Sequence, residues 1–166
     1  MSRGFVKEED QEEPVIIPPR AALSEGVTNY VTQNGLDELK KELEDLEESR
    51  PNVKAENETE KRREQSLIDG KINLLRERLN SARLLTSQEL PKDEVRFGAK
   101  VEIQNSDTGQ IQTFQIVGVD EANIKKKKIA FTAPIAKAIT GKKVGEKVDF
   151  KLGSEVRKLK ILKIAY

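Results

Sequence analysis

Two runs of leucine and isoleucine constrain this chain more than any other feature. Leu36, Leu39, Leu43 and Leu46 are spaced 3, 4, 3, and the series continues through Arg50 to Val53. Ile68, Ile72, Leu75, Leu79 and Ala82 are spaced 4, 3, 4, 3. Both runs have the period of a coiled-coil seam, with charged residues filling the other positions. Each seam is a narrow apolar stripe that needs a cover, and a short polar stretch separates the two. The chain should therefore fold back as an antiparallel hairpin. Matching Leu36 with Ala82, Leu39 with Leu79, Leu43 with Leu75 and Leu46 with Ile72 keeps the seams in register. That pairing places the turn near Thr59, within Glu56 to Glu60. Thr32 is positioned to cap the first helix. Pro51 should bend that helix or open a hydrogen bond in it, and Pro91 stops the region after the second helix. From Gln33 to about Ala55 the first arm is ~33 Å long.

Beyond Pro91 the period changes. Lys100 to Gln104 and Gln110 to Ile116 alternate apolar with polar residues, and Asp107-Thr108-Gly109 between them reads as a hairpin turn. Lys128 to Phe131, Val144 to Phe150 and Val156 to Ile164 supply three further strands. The alternation slips between Ile161 and Leu162, as a bulge would make it do. Pro134 to Thr140, closed by Gly141, has the proline-start, glycine-stop layout of a short helix. The fold class is α+β: an antiparallel helical hairpin over 29–90, then an antiparallel β-sheet domain with one short helix over 91–166. Residues 1–28 show no sustained period. The acids Glu8, Glu9, Asp10, Glu12 and Glu13, then Pro14, Pro18 and Pro19, make that stretch a flexible tail by composition.

Charge is segregated along the chain. Residues 1–28 carry 3 basic and 6 acidic side chains, 29–90 carry 11 and 14, and 91–166 carry 16 and 9. An acidic middle joined to a basic end suggests two modules with different electrostatic partners. The absence of Cys and His excludes thiol and imidazole catalysis and Cys/His zinc sites. No phosphate loop, metal-ligand helix motif or nucleophile elbow occurs, so no catalytic residue, metal or cofactor is expected. No apolar run reaches the ~20 residues that span a bilayer, and the first residues lack a secretory layout. The expectation is a cytoplasmic protein without membrane contact.

Three clusters carry candidate chemistry. Glu56, Glu58 and Glu60 sit at the expected finger tip, where carboxylates suit Mg²⁺, although alternating Glu more often only solubilises a helix turn. Lys61, Arg62 and Arg63 follow and can steer phosphates, although a solvated helix face explains them equally well; Lys125 to Lys128 can contact nucleic acid, but a solvated loop explains that cluster better. Phe97, Phe114, Phe131 and Phe150 fall in alternating segments and read as core residues rather than as a stacking platform.

Several ordered motifs then resemble a known family. They are Arg96-Phe97-Gly98-Ala99-Lys100-Val101, Gln115-Ile116-Val117-Gly118-Val119-Asp120-Glu121-Ala122, Ala133-Pro134-Ile135-Ala136-Lys137-Ala138-Ile139 and Gly141-Lys142-Lys143-Val144-Gly145. Together they resemble the C-terminal domain of the GreA/GreB transcription elongation factors. Val31 to Leu36 and Leu67 to Ile72 are similar to the two helices of that family's hairpin. The resemblance implies an FKBP-like sheet domain that docks a monomeric factor on the rim of the bacterial RNA polymerase secondary channel, while the coiled coil reaches inward, near nascent RNA or DNA. In the family, acidic tip residues help hold Mg²⁺ in the polymerase active site and promote transcript cleavage; the chemistry is the polymerase's own. Carried onto this chain, the docking residues are Asp120, Glu121, Thr132, Ala133 and Pro134.

Two departures shape the expectation. Between Arg50-Pro51 and Gln65 the family's acidic tip motif is absent and the span is shorter by roughly 14 residues, about 10 Å of finger. In that respect the chain is closer to the short-fingered Rnk-type relatives. At Ala133 the family usually carries Ser. The favoured expectation is a polymerase-binding regulator with little or no cleavage stimulation. The other readings are a genuine cleavage factor using Glu56, Glu58 or Glu60, and a prolyl isomerase suggested by the FKBP-like fold alone.

Overall fold

The computed structural model describes residues 14–166, so the acidic cluster Glu8 to Glu13 lies outside the described residues. A short strand β1 (Asn29–Val31) leads into helix α1 (Gln33–Ser49), and helix α2 (Glu58–Ser81) leads out into strand β2 (Ala82–Leu84). Thr32 caps α1 by accepting the Gly35 N–H at 2.9 Å, as its position implied. The two seams meet as expected. Val31, Leu39 and Leu75 form a buried cluster against which Leu36, Leu43, Leu46, Leu79 and Ala82 pack. Two ion pairs tie the helices together on the outside, Arg50 with Asp69 at 2.5 Å and Arg76 with Glu47 at 3.1 Å.

The hairpin's outer end departs from the symmetric finger. Helix α1 stops at Ser49 instead of running to Ala55, with Arg50 as its cap. Pro51 has no N–H to continue the ladder and its ring clashes with the preceding turn, so it ends the helix instead of bending it. The first arm is accordingly about 25 Å long. The turn spans 50–57 and α2 begins at Glu58 with Asn57 as its cap. Because Arg50 stands level with Asp69, α2 from Glu58 to Ile68 runs past the end of α1 by roughly 16 Å. Among the described residues the loop accompanies it there, with Gln65 Nε2 donating to the Arg50 carbonyl.

Strands β1 and β2 pair in parallel, Asn29 opposite Ala82 and Val31 opposite Leu84. Asn29 also donates its side-chain amide to the Arg78 carbonyl and to Ser81 Oγ, occupying a carbonyl that the end of α2 leaves without a helical donor. Neither three-residue strand shows enough alternation to be read from sequence.

The remaining chain forms one sheet in the order β5-β4-β3-β7-β6. Its strands are β3 (Lys100–Asn105), β4 (Ile111–Val117), β5 (Lys128–Ala130), β6 (Lys147–Leu152) and β7 (Glu155–Ala165). All neighbours are antiparallel except β4 and β5, which run parallel. The connection from Gly118 to Lys127 contains a 3₁₀ turn at Ile124–Lys126 and is long enough to return the chain to the same end of the sheet. The anticipated bulge is present: Glu102 faces Lys163 and Ile103 faces Ile161, which leaves Leu162 as the extra residue. Strand β6 begins three residues later than expected, after a turn at Gly145 whose N–H donates to the Ile161 carbonyl.

Helix α3 (Pro134–Ile139) starts on its proline and is followed by Gly141 at φ +86°. Ala136 and Ile139 on α3 close the core made by Val101, Ile103, Phe114, Ile116, Leu159 and Ile161. Phe114 belongs to that core and Phe150 packs at its margin, but Phe97 and Phe131 lie on turns, not on strands.

Candidate functional site

The three tip carboxylates do not converge. Glu56 is in the loop, while Glu58 and Glu60 occupy the first turn of α2; all three are exposed. Acidic side chains at a helix N-terminus are stabilised by its dipole, and the Glu60 N–H is held by Asn57 Oδ1 at 2.9 Å. No group of three or more His, Cys, Asp or Glu side chains able to hold a metal ion occurs among the described residues. Lys61, Arg62 and Arg63 continue the same helix, with Arg62 outward and the other two partly covered.

Asp120 and Glu121, expected on a docking surface, face inward where the helical hairpin meets the sheet domain. The Asp120 side chain is 6% exposed and accepts from Arg20 at 2.9 Å and from Arg78 at 3.2 Å. The Glu121 side chain is 3% exposed. It accepts from Thr32 Oγ1 at 2.5 Å, from Asn34 Nδ2 at 2.9 Å and from Lys128 Nζ at 3.0 Å. Buried carboxylates need this degree of pairing, because desolvation of an unmatched charge costs several kcal/mol. Thr32 thus does two jobs. Its oxygen caps α1 while its hydroxyl proton binds the sheet domain.

The backbones also approach closely here. A Cβ on Gly118 would lie 2.5 Å from the Tyr30 carbonyl oxygen, and one on Gly35 would lie 2.7 Å from Glu121 Oε1. Tyr30 seals the side of the junction with its ring, 6.0 Å from that of Phe97 and 5.7 Å from that of Phe131. The third pair, Phe97 with Phe131, is edge-on at 5.6 Å. These rings hold the base of the hairpin to the sheet and line a shallow cleft of about 430 Å³ with Leu85 and Leu90.

Residues 14–28 form no helix or strand, in keeping with their composition, yet part of this stretch is fastened across the junction. Arg20 joins Glu42 of α1 at 2.5 Å to Asp120 of the sheet domain. Arg78 donates to the Ala21 carbonyl, and Ile17 sits where a side chain on Gly70 would be. Burial opposes the Arg20 charge, but its hydrogen bonds to Glu42 and Asp120 outweigh this and hold the guanidinium above its ordinary range. At the finger's exposed side, the hydrogen bond from Arg50 holds the Asp69 carboxyl below the usual carboxylate range. Arg20→Ala should release residues 17–21 at a cost of about 1–3 kcal/mol. Limited proteolysis should then cut within 14–28 faster than in the unmodified chain, and equal rates would assign the fastening to other contacts.

Thr132, Ala133 and Pro134 have a different setting. Pro134 is exposed and the other two are partly so. Thr132 and Ala133 border an open groove of about 430 Å³ with Ala22, Ala122, Ile124 and Ala130. Ile124, which no sequence argument singled out, projects with 89% of its surface exposed. Only its position beside the lysine run marked it. That run is divided by the fold: Lys128 turns in to Glu121, whereas Lys125, Lys126 and Lys127 stay in solvent.

Residues 90–166 match the family described as transcription elongation factor, GreA/GreB, C-term. The chain is 39% identical over 102 residues to the transcription elongation factor GreA of Hyphomonas neptunium, covering 61% of this chain and 65% of that protein. It is 37% identical over 107 residues to the GreA of Neorickettsia sennetsu, covering 64% of this chain and 67% of that protein. The matched stretch therefore spans slightly under two thirds of the Hyphomonas protein. Among solved structures, the GreA/GreB elongation factor from Nitrosomonas europaea is similar at 16% identity and a TM-score of 0.42, covering 90% of this chain and all of that one. No helix among the described residues is long and apolar enough to cross a membrane. At 37% identity over two thirds of the Neorickettsia GreA, and with its C-terminal domain matching the family model, this chain belongs to the GreA/GreB family.

Proposed function

We propose that this protein is a transcription elongation factor that binds bacterial RNA polymerase at the secondary-channel rim, inserts its helical finger, and stimulates transcript cleavage weakly or not at all. The observation that carries the reading is the finger's end, where the acids are spread over a loop and one helical turn. A carboxylate assists a metal only within direct or water-bridged reach, since Mg²⁺–oxygen bonds are about 2.1 Å. Side chains dispersed over a loop and one turn of a projecting helix offer no preorganised set. The factor itself performs no catalysis in this reading; any cleavage belongs to the polymerase.

Docking is assigned to the open groove bordered by Thr132, Ala133 and Ile124, together with the exposed Pro134 next to Ala133. An exposed isoleucine beside a proline-started helix supplies an apolar anchor of the kind that dominates interface energetics. Asp120 and Glu121 act one step removed: they set the angle of the finger relative to that groove.

Backtracked elongation complexes test the proposal. The protein should co-purify with polymerase, fail to accelerate transcript shortening, and inhibit cleavage by a full-length Gre factor as its concentration rises. Ile124→Asp and Pro134→Gly should weaken both capture and competition, whereas Glu58→Ala should change neither. Robust cleavage that Glu58→Ala abolishes would establish the protein as a cleavage factor instead.

A further inference from the structure

The strap formed by residues 17–21 does more than cross the junction; it completes a cleft there. The walls come from three parts of the chain. Pro18 and Pro19 belong to the strap, Leu46 and Leu74 to the two helices, and Val119 and Ala122 to the sheet domain. The cleft holds about 420 Å³. Small-molecule sites occupy about 300–1,000 Å³ and are common where domains meet. Ile17 anchors the strap over Gly70, and Arg20 and the Ala21 carbonyl fasten it to Glu42, Asp120 and Arg78. Between those anchors the two prolines fix their own φ angles, so this wall is preorganised.

Charge and wall chemistry define what fits. The charged side chains in the lining are Arg20, Lys71, Glu42 and Asp120. Arg20 pairs with both acids, and Arg78 also holds Asp120 at 3.2 Å, so two arginines match two carboxylates. Lys71 is left over. It is half-buried on α2 beside Gly70 and makes no ion pair or hydrogen bond among the described residues. An ammonium drawn partly out of water without a counter-charge favours an anion beside it, and one surplus charge calls for a monoanion. Among the described residues no aromatic ring lines the cleft, so a planar ligand has nothing to stack on. A saturated chain, by contrast, gains by burying area against Leu46, Leu74 and the prolines. We propose that this cleft binds an aliphatic monocarboxylate, its carboxylate on Lys71 and its chain between the strap and the helices.

Isothermal titration calorimetry of octanoate into the full-length chain tests this, polymerase being absent. Octanoate should bind saturably. Octanol, which lacks the charge, and acetate, which lacks the chain, should each bind at least about tenfold more weakly. Lys71→Gln should lower octanoate affinity about tenfold or more, whereas Lys71→Arg should retain it. Leu74→Asn should also lower it, by making one wall polar. Lys147→Gln, on the distant strand β6, should leave it unchanged, and circular dichroism should show every variant folded. Bound octanoate should slow proteolysis within 14–28 in the unmodified chain but not in Lys71→Gln, because the ligand ties the strap to α2. The proposal is overturned by no saturable binding, by Lys71→Gln binding as tightly as the unmodified chain, or by octylammonium matching octanoate. Tighter binding of naphthoate than of octanoate would overturn the aliphatic assignment, and unchanged proteolysis at saturating octanoate would overturn the strap's part. Because polymerase takes no part, these outcomes are separate from those of the elongation assays.

Discussion

Gly118→Ala should loosen the junction between finger and sheet domain while leaving the sheet core intact. The added Cβ would lie 2.5 Å from the Tyr30 carbonyl oxygen and 3.6 Å from the Val31 Cα, with backbone on both sides. Neither partner can rotate away as a side chain would, so β1 must shift from the end of β4. Overpacking of this kind costs about 1–3 kcal/mol. The cost should be local, because Gly118 belongs to the contact surface and not to the sheet core. Hydrogen exchange is the suitable measurement. Protection should fall at Leu85, whose N–H donates to the Val31 carbonyl, and persist at Val101 and Ile161 within the sheet. Uniform loss would mean that the sheet core depends on this junction, and no loss would mean that the strands part without strain. Gly35→Ala makes a useful contrast: its Cβ comes closest to the Glu121 carboxylate, a side chain that can move, so the expected effect is smaller.

Leu75→Ala should destabilise the finger by about 2–5 kcal/mol. Leu75 is 0% exposed and lies at the centre of the cluster with Val31 and Leu39. Truncation removes the transfer free energy of the side chain and leaves a cavity between two helices that are braced by a parallel strand pair at their base and cannot simply close up. Surface charge should matter far less. The Lys41–Asp45 pair spans 3.4 Å with both side chains mostly in solvent, and exposed pairs of this kind contribute ~0.5 kcal/mol or less. Chemical denaturation of Leu75→Ala beside Lys41→Ala decides between the two sources. Comparable losses would shift the finger's stability from its seam to its surface.

These effects bear on function through geometry. If the groove at Ile124 docks and the finger reaches inward, the junction fixes the angle between them. Asp120 and Glu121 are then positioning residues: removal of either should alter where the finger points without removing the docking surface. This changes the meaning of the Asp120-Glu121 motif, whose side chains look from sequence like a charged loop available to a partner.

What can be read in advance is local. The two seams, the Thr32 cap, the proline-started helix α3 and the Leu162 bulge all follow from spacings within a few residues, since helix and strand periods act over that range. The end of α1 at Ser49 escapes such a reading because the apolar period continues through Pro51 to Val53, and backbone chemistry overrides the pattern. Phe97 and Phe131 read as strand residues because both stand beside alternating segments. In the fold, turns carry them to Tyr30.

The sequence by itself determined the kinds of element, their order and the pairing of the finger's two seams. It also carried the motifs by which the family can be recognised. The tertiary structure alone decided which polar side chains are used inside the molecule. Arg20 meets Asp120 across 100 residues of chain and Thr32 meets Glu121 across 89, distances over which no periodicity operates. A carboxylate's availability depends on whether the folded chain buries it beside matching donors. That is a property of the packed junction, where Asp120 meets Arg20 and Arg78 and Glu121 meets Thr32, Asn34 and Lys128.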